Sequence, residues 1–224
     1  MNALHELPGG GRALFTDRAA GNLSTGTGLG HEHGLERRAE VCELLGLSWL
    51  CSCAQVHGKD INVIDRIAGA GGTPVQVRAD GHVTRLRGLG AMILTADCLP
   101  VALGCEGAVA AVHAGWRGLA AGVLEQGVSA LEQLGDGGQI IAIVGPGAGP
   151  CCYEVGEEVH AAFSGAHRHG RRIDLRAIAR ERLLGAGVAE VRDVHACTIC
   201  DESLFSHRRE GARAGRQAVV AWLS

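Results

Sequence analysis

The chain of 224 residues carries 21 Lys and Arg against 24 Asp and Glu, a formal net charge of −3, with 46% hydrophobic, 20% charged and 3% aromatic residues. That length suits one domain, or two tightly fused halves, with enough chain for a real core. The balance excludes a chain that is mainly disordered and a general nucleic-acid binder, which needs an excess of cation. No apolar run approaches the roughly 20 residues of a membrane helix. The opening MNALHELPGGGRALF has no signal-peptide core, so a cytoplasmic protein with no membrane partner is expected. Nine cysteines, an odd number, then point to thiols, metal ligands or catalysis rather than a disulfide framework.

In chain order, the pattern predicts a strand over 12–16, a loop over 22–34 and an amphipathic helix over 35–46. The helix rests on Leu35, Val41, Leu44 and Leu45 spaced among charges, with Gly46 as its stop. A strand from Trp49 to Val56 ends at His57-Gly58, and another is expected over 61–65. The runs Ala91–Thr95, Pro100–Leu103 and Ala108–His113 read as strands buried on both faces. A helix from about Leu119 to Leu134 follows, then a strand at Ile140–Val144 and a turn at Gly145–Pro150. Helices over 155–163 and 174–184 and strands near 188–194 and 216–223 complete the chain. Helices and strands interleave without strict βαβ regularity, which makes a mixed α/β domain.

Three residues sit where an apolar run meets a turn and a side chain can face a pocket: His57 in QVHGKD, Cys98 in TADCLP and His113 in AVHAGWRG. Two imidazoles and one thiolate would hold a zinc ion with its fourth position open, the arrangement of a catalytic site. From spacing alone, packing histidines remain the commoner alternative. Cys197-Thr-Ile-Cys200 is a CxxC motif, readable as a redox pair or half of a four-cysteine zinc site. Because Cys51-Ser-Cys53 and Cys151-Cys152 do not repeat its spacing, the plainer reading of two thiols beside a turn is preferred.

His31-Glu-His33 and His167-Arg-His169 lie in polar, glycine-flanked stretches and read as solvated loops. GPGAGPCCYEVG lacks the Lys-Ser/Thr of a phosphate loop and reads as a turn feeding a helix near Val155, whose first amides could bind an anion. Asp80, Asp97, Arg38 and Arg117 flank the apolar centre, where a buried charge needs a partner, a metal or a substrate.

QVHGKD, RADGHVT, TADCLPV, AAVHAGWRGLAAGV, GPGAGPCCYEVG, CT followed by LFSHRR, and GRQAV occur in this order between His57 and Leu223. Together they resemble the laccase-domain purine nucleoside phosphorylases, a family long labelled polyphenol or multicopper oxidases. The resemblance implies an α+β fold of one domain over residues 1–224, with four α/β/β/α layers and mixed sheets. It implies zinc held by His57, Cys98 and His113, with copper as the alternative ion. It further implies phosphorolysis of adenosine, inosine, guanosine and methylthioadenosine to base and ribose 1-phosphate, with deamination of adenosine. The partners are then purine nucleosides and phosphate, bound by a monomer or homodimer.

The stretch FTDRAAGNLSTGTGLGHEHGLERRAEV departs from the family pattern. It keeps Asn22-Leu23 but not the family's glycine-aspartate, and Arg37 replaces an asparagine while Arg38 aligns with the family arginine. Arg38 is assigned to phosphate, Asp97 to proton transfer near the base, and Cys98 to catalysis through the metal. Neighbours in an ideal strand face opposite sides, so Asp97 and Cys98 share a pocket only if the chain bends before Pro100. Three rivals stand beside this reading. A copper-dependent polyphenol oxidase would usually want an axial methionine, and only Met1 and Met92 exist. The others are a cysteine hydrolase with Cys98 as nucleophile and His113 as base, and a binding module without catalysis.

Overall fold

Residues 89–114 and 217–223 are so densely apolar that neither face of a strand built from them is left for water, and both faces must be covered. The computed structural model, which describes residues 3–65 and 77–224, covers them with two stacked sheets and outer helices. The first half contains β1 (Ala3–Glu6), β2 (Gly11–Phe15), α1 (Gly34–Leu45), β3 (Trp49–Cys51), β4 (Asn62–Ile64), β5 (Gly81–Thr84), β6 (Leu89–Thr95), β7 (Leu99–Cys105) and β8 (Ala108–Ala114). The second half contains α2 (Trp116–Ala121), α3 (Val123–Leu134), β9 (Ile141–Val144), α4 (Glu157–Ala162), β10 (Arg168–His169), β11 (Arg172–Ile173), α5 (Leu175–Gly185), β12 (Glu190–Asp193), α6 (His207–Glu210) and β13 (Gln217–Leu223).

One sheet runs β1-β2-β13-β6-β3 and the other β12-β9-β7-β8-β5-β4, with β10 and β11 forming a separate hairpin. Both are mixed: β3 lies parallel to β6, β4 to β5 and β12 to β9, while β13 and β7 pair antiparallel with both of their neighbours.

The period of two sorts side chains into layers. Between the sheets lie Ala13, Phe15, Ala91, Ile93, Val219 and Ala221 from one, and Ala102, Val109, Ala111 and Ile143 from the other. Their strand neighbours Leu14, Met92, Val220 and Trp222 face outward and pack with Val41 of α1. On the far side Val101, Leu103, Ala110 and Val112 pack with Leu124, Val128 and Leu131 of α3 and Ile178 and Leu183 of α5. The result is helix, sheet, sheet, helix, the α+β arrangement expected. Each fully buried aliphatic side chain here contributes about 1.5–3 kcal/mol.

The helix expected over 119–134 starts earlier, at Trp116, and is broken at Gly122, whose φ of +93° cannot continue a right-handed helix. The strand expected to reach Val56 stops at Cys51; beyond it Ala54 makes one isolated parallel bridge to Arg78, and the amides of Val56, His57 and Gly58 bond to the Asp80 side chain. β1, β5, the β10–β11 hairpin and α6 were not anticipated; each is four residues or shorter, too brief for a periodic signal. The two HxH pairs lie in exposed segments: His31 and His33 in a short 3-10 turn, His167 paired with Glu181.

Candidate metal centre

Asp80 organises the site. Its side chain is fully buried, and its oxygens accept the backbone N–H groups of Val56, His57 and Gly58 at 3.2, 2.9 and 2.6 Å. These contacts hold His57 in the left-handed region, at φ +58°, a conformation a non-glycine residue keeps only when its surroundings impose it. Gln55 secures the same segment from the other side: its amide donates to the Leu94 carbonyl at 2.7 Å and accepts the Leu94 N–H at 2.8 Å, extending the edge of β6 through a side chain.

His113 stands one residue from the end of β8, opposite Pro100 in β7, and donates its backbone N–H to the Asp80 carbonyl at 2.7 Å. Cys98 immediately precedes β7. The bend required before Pro100 is present: Asp97 has φ +94°, and both Asp97 and Cys98 line the same cavity.

The ligand atoms of His57, Cys98 and His113 all lie within 4.8 Å of one another, with Cys98 Sγ 3.9 Å from His57 Nε2. A tetrahedral zinc with ordinary Zn–S and Zn–N bonds separates such donors by about 3.5 Å, so the trio fits a small divalent ion after a slight closure. His113 Nδ1 lies 2.8 Å from Asp80 Oδ1. A carboxylate only accepts, so Nδ1 carries the proton and Nε2 is left for the ion, the usual way an outer carboxylate orients a metal-binding imidazole.

Electrostatics agree with the geometry. Burial pushes the Cys98 thiol up, but His113 and His57 outweigh it and bring it down to about 6. Burial likewise opposes a charge on His113, yet the Cys98 and Asp80 charges raise it to about 9. Burial also works against an ionised Asp80, and the hydrogen bonds from His113 and the backbone amides hold it below the usual carboxylate range. A thiolate facing an imidazolium is a place where a cation can replace a proton.

Gly115 closes the site from below. A Cβ built there would stand 2.9 Å from His57 Cδ2 and 3.0 Å from Cys98 Sγ, with His113 Cε1 at 3.6 Å. Gly115→Ala is therefore expected to spread the trio and cost about 10–100-fold in metal affinity, read by competition with a chelating dye. An unchanged affinity would show that the trio does not close around an ion.

The trio opens into a cavity of about 510 Å³, within the range of small-molecule sites. Trp116 and Tyr153 supply aromatic faces, and Arg117, Arg208 and Arg216 supply cations. Arg208 sits 5.1 Å over Tyr153 and donates to the Glu154 carbonyl, and Arg216 donates to the Ala214 and Gly215 carbonyls. Arg117 lies 4.2 Å over the Trp116 ring and makes no hydrogen bond to the protein among the described residues. Thr95 Oγ1 is buried in the cavity wall without a protein partner. Asp97 accepts from Thr198 Oγ1 at 2.7 Å and from the Arg208 N–H at 2.6 Å.

Arg38 does not line this cavity. It donates to the Leu23 carbonyl at 2.8 Å and to Ser52 Oγ at 3.1 Å, beside a separate groove walled by Leu35 and Trp49. Sequence reasoning missed Thr95, Gly115, Tyr153, Arg208 and Arg216 as individuals, although all but Thr95 lie two residues or fewer from a cysteine, histidine, glycine or arginine of the quoted motifs and Thr95 opens TADCLPV. It also separated Cys197 and Cys200 from Cys151 and Cys152, which the fold brings into one cluster.

A four-layer α/β/β/α protein with a two-histidine, one-cysteine centre at the mouth of a cavity is the class that this fold and site define. Residues 12–224 match the family described as multi-copper polyphenol oxidoreductase laccase, and the chain belongs to that family. A purine nucleoside phosphorylase of Xylella fastidiosa strain Temecula1 is 40% identical over 243 residues, spanning 100% of this chain and 91% of the relative. The purine nucleoside phosphorylase YfiH of Escherichia coli is 39% identical over 183 residues, 75% of this chain and 72% of its own. Among solved structures, protein NMB0706 of Neisseria meningitidis superposes with a TM-score of 0.82 at 30% identity, covering 100% of this chain and 99% of that one. YlmD of Geobacillus stearothermophilus gives 0.80 at 29% identity, covering 96% and 92%. No helix among the described residues is long and apolar enough to cross a membrane.

Proposed function

We propose that this chain is a zinc-dependent purine nucleoside phosphorylase acting on adenosine, inosine, guanosine and methylthioadenosine, with adenosine deamination as a second activity. The observation that carries this reading is the cavity itself: a metal trio, two aromatic faces and an uncommitted arginine open onto one space. Phosphorolysis breaks the bond between C1′ and the glycosidic nitrogen and forms a bond from C1′ to a phosphate oxygen, the base leaving with a proton. Zinc held by His57, Cys98 and His113 would supply Lewis acidity and orient a reacting oxygen.

The chain's own groups divide the remaining work. Trp116 and Tyr153 offer flat apolar surface for a purine. Arg117, whose fork matches two phosphate oxygens, takes the anion role that the sequence alone assigned to Arg38. Asp97 is the one carboxylate lining the cavity among the described residues, which supports assigning to it the proton held and returned at the base. Residues 1–224 act as one domain in the cytoplasm, as a monomer or homodimer.

A copper polyphenol oxidase reading draws no support from the methionines. Met92, the one methionine described, is fully buried against the α1 side of the first sheet and cannot serve as an axial ligand.

The test is a panel of purine nucleosides incubated with and without phosphate, resolving free base, ribose 1-phosphate and inosine by chromatography. Wild type should release base only with phosphate, and should convert adenosine to inosine without it. Arg117→Ala should raise the phosphate KM about 10-fold or more, the value of one or two charge-assisted hydrogen bonds, and leave the nucleoside KM within about 2-fold. Base release that ignores phosphate would overturn the phosphorylase reading; an unchanged phosphate KM would remove Arg117 from its role.

A further inference from the structure

Outside the cavity, two turns bring four thiols to one point. Cys151 and Cys152 lie between β9 and α4, Cys197 and Cys200 after β12, and their four sulfurs all fall within 4.8 Å of one another. Backbone pairing sets the approach: Gly147 bridges to Cys197, accepting the Thr198 N–H at 3.1 Å and donating to the Ala196 carbonyl at 3.3 Å.

We propose that Cys151, Cys152, Cys197 and Cys200 form a second, structural zinc site, closed by four thiolates and separate from the centre in the cavity. A closed set of four sulfurs is the donor choice of structural zinc, and a span this small suits a single ion. An iron–sulfur cluster, with several metals between its thiolates, would spread the sulfurs further.

The backbone around the cluster is built for anionic sulfur. Cys197 Sγ accepts the Gly149 N–H at 3.2 Å and faces the N–H groups of Ile199 and Cys200 as well, the pattern of a CxxC turn folded around a ligand. Three arginines take the carbonyls of the same turns. Arg209 donates to Thr198 and Ile199, Arg176 to Ala196, and Arg172 to Cys151 at 2.6 Å. Arg176 and Arg209 are also paired with Asp193 and Glu210, so among the described residues Arg172 is the one of the three whose charge is left to offset the net negative charge of a zinc held by four thiolates. Zn–S bonds of about 2.3 Å in a tetrahedron separate the sulfurs by about 3.8 Å; Cys200 Sγ stands 2.8 Å from Cys152 and 3.4 Å from Cys151, so these sulfurs would move slightly apart around the ion.

The staple has a purpose in this fold. Thr198, inside the CxxC turn, donates to Asp97 in the cavity, and Tyr153 directly follows Cys152. One ion would thus hold two turns in the positions from which they furnish a cavity wall. This site does not depend on the identity of the reaction.

Cys98→Ala removes a ligand of the cavity centre and none of this cluster. Purified from zinc-containing medium, it should retain one zinc per chain where wild type holds two, and X-ray absorption at the zinc edge should report four sulfur ligands at about 2.3 Å. The double variant Cys197→Ser/Cys200→Ser should lose one equivalent from wild type and melt at a lower temperature. Should either variant fold poorly, wild type itself decides: its four cluster cysteines should resist alkylation until a chelator is added. No zinc in Cys98→Ala, zinc bound mainly through nitrogen or oxygen, immediate alkylation of all four, or a disulfide among them by intact mass would each overturn the site.

Discussion

Cys98→Ala is expected to lose the cavity metal and more than about 100-fold in turnover, beyond the roughly 10–100-fold that follows when only an outer partner of a ligand is changed. The fold should survive. Cys98 is half-buried at the head of β7, and its sulfur touches His57 and His113 rather than the inter-sheet layer. Circular dichroism should be unchanged, and elemental analysis should show the loss of one equivalent of metal. Full activity in a Cys98→Ala protein that has lost this equivalent would end the assignment of the cavity metal. A covalent adduct on Cys98 in the wild type would instead favour a cysteine hydrolase.

Asp80→Asn should damage both stability and metal affinity. The carboxylate accepts four donors: the N–H groups of Val56, His57 and Gly58, and His113 Nδ1. An amide offers one oxygen, and its NH₂ group turns a donor toward donors, so buried N–H groups lose their partners at a cost of about 1–3 kcal/mol each. The left-handed turn at His57 loses what imposes it, and the His113 ring loses the acceptor that sets its tautomer. A loss of about 3–5 kcal/mol should appear in urea titration, with metal affinity about 10–100-fold weaker. Wild-type affinity in a folded Asp80→Asn protein would show that Asp80 supports the backbone alone.

Much of the frame is legible in the sequence. Val101, Leu103, Val109 and Val112 sit in runs too apolar for a half-exposed strand, which announced strands buried on both sides. Gly46 ended α1 where its left-handed φ of +66° made stopping cheap. Arg117 and Asp97 stood out because charge beside an apolar centre needs a reason. Other features left no local trace. β5 is four residues with histidine in it, and the break at Gly122 depends on a φ that glycine permits without demanding. Arg38 and Arg117 carry the same chemistry, so choosing between them requires knowing which one faces the cavity.

Local residue patterns were sufficient for a mixed α/β domain with strands buried on both faces, since periodicity and apolar density dictate which faces must be hidden from water; the four-layer arrangement was implied by the family resemblance alone. They also marked His57, Cys98 and His113 as ligand types at the ends of buried runs. Distances across the chain were settled only by tertiary packing. Cys151 and Cys197 stand 46 residues apart, and no rule of spacing announces that their turns meet. Asp80 becomes the keystone of the cavity centre only because three amides and an imidazole converge on it, and convergence is a property of the folded backbone.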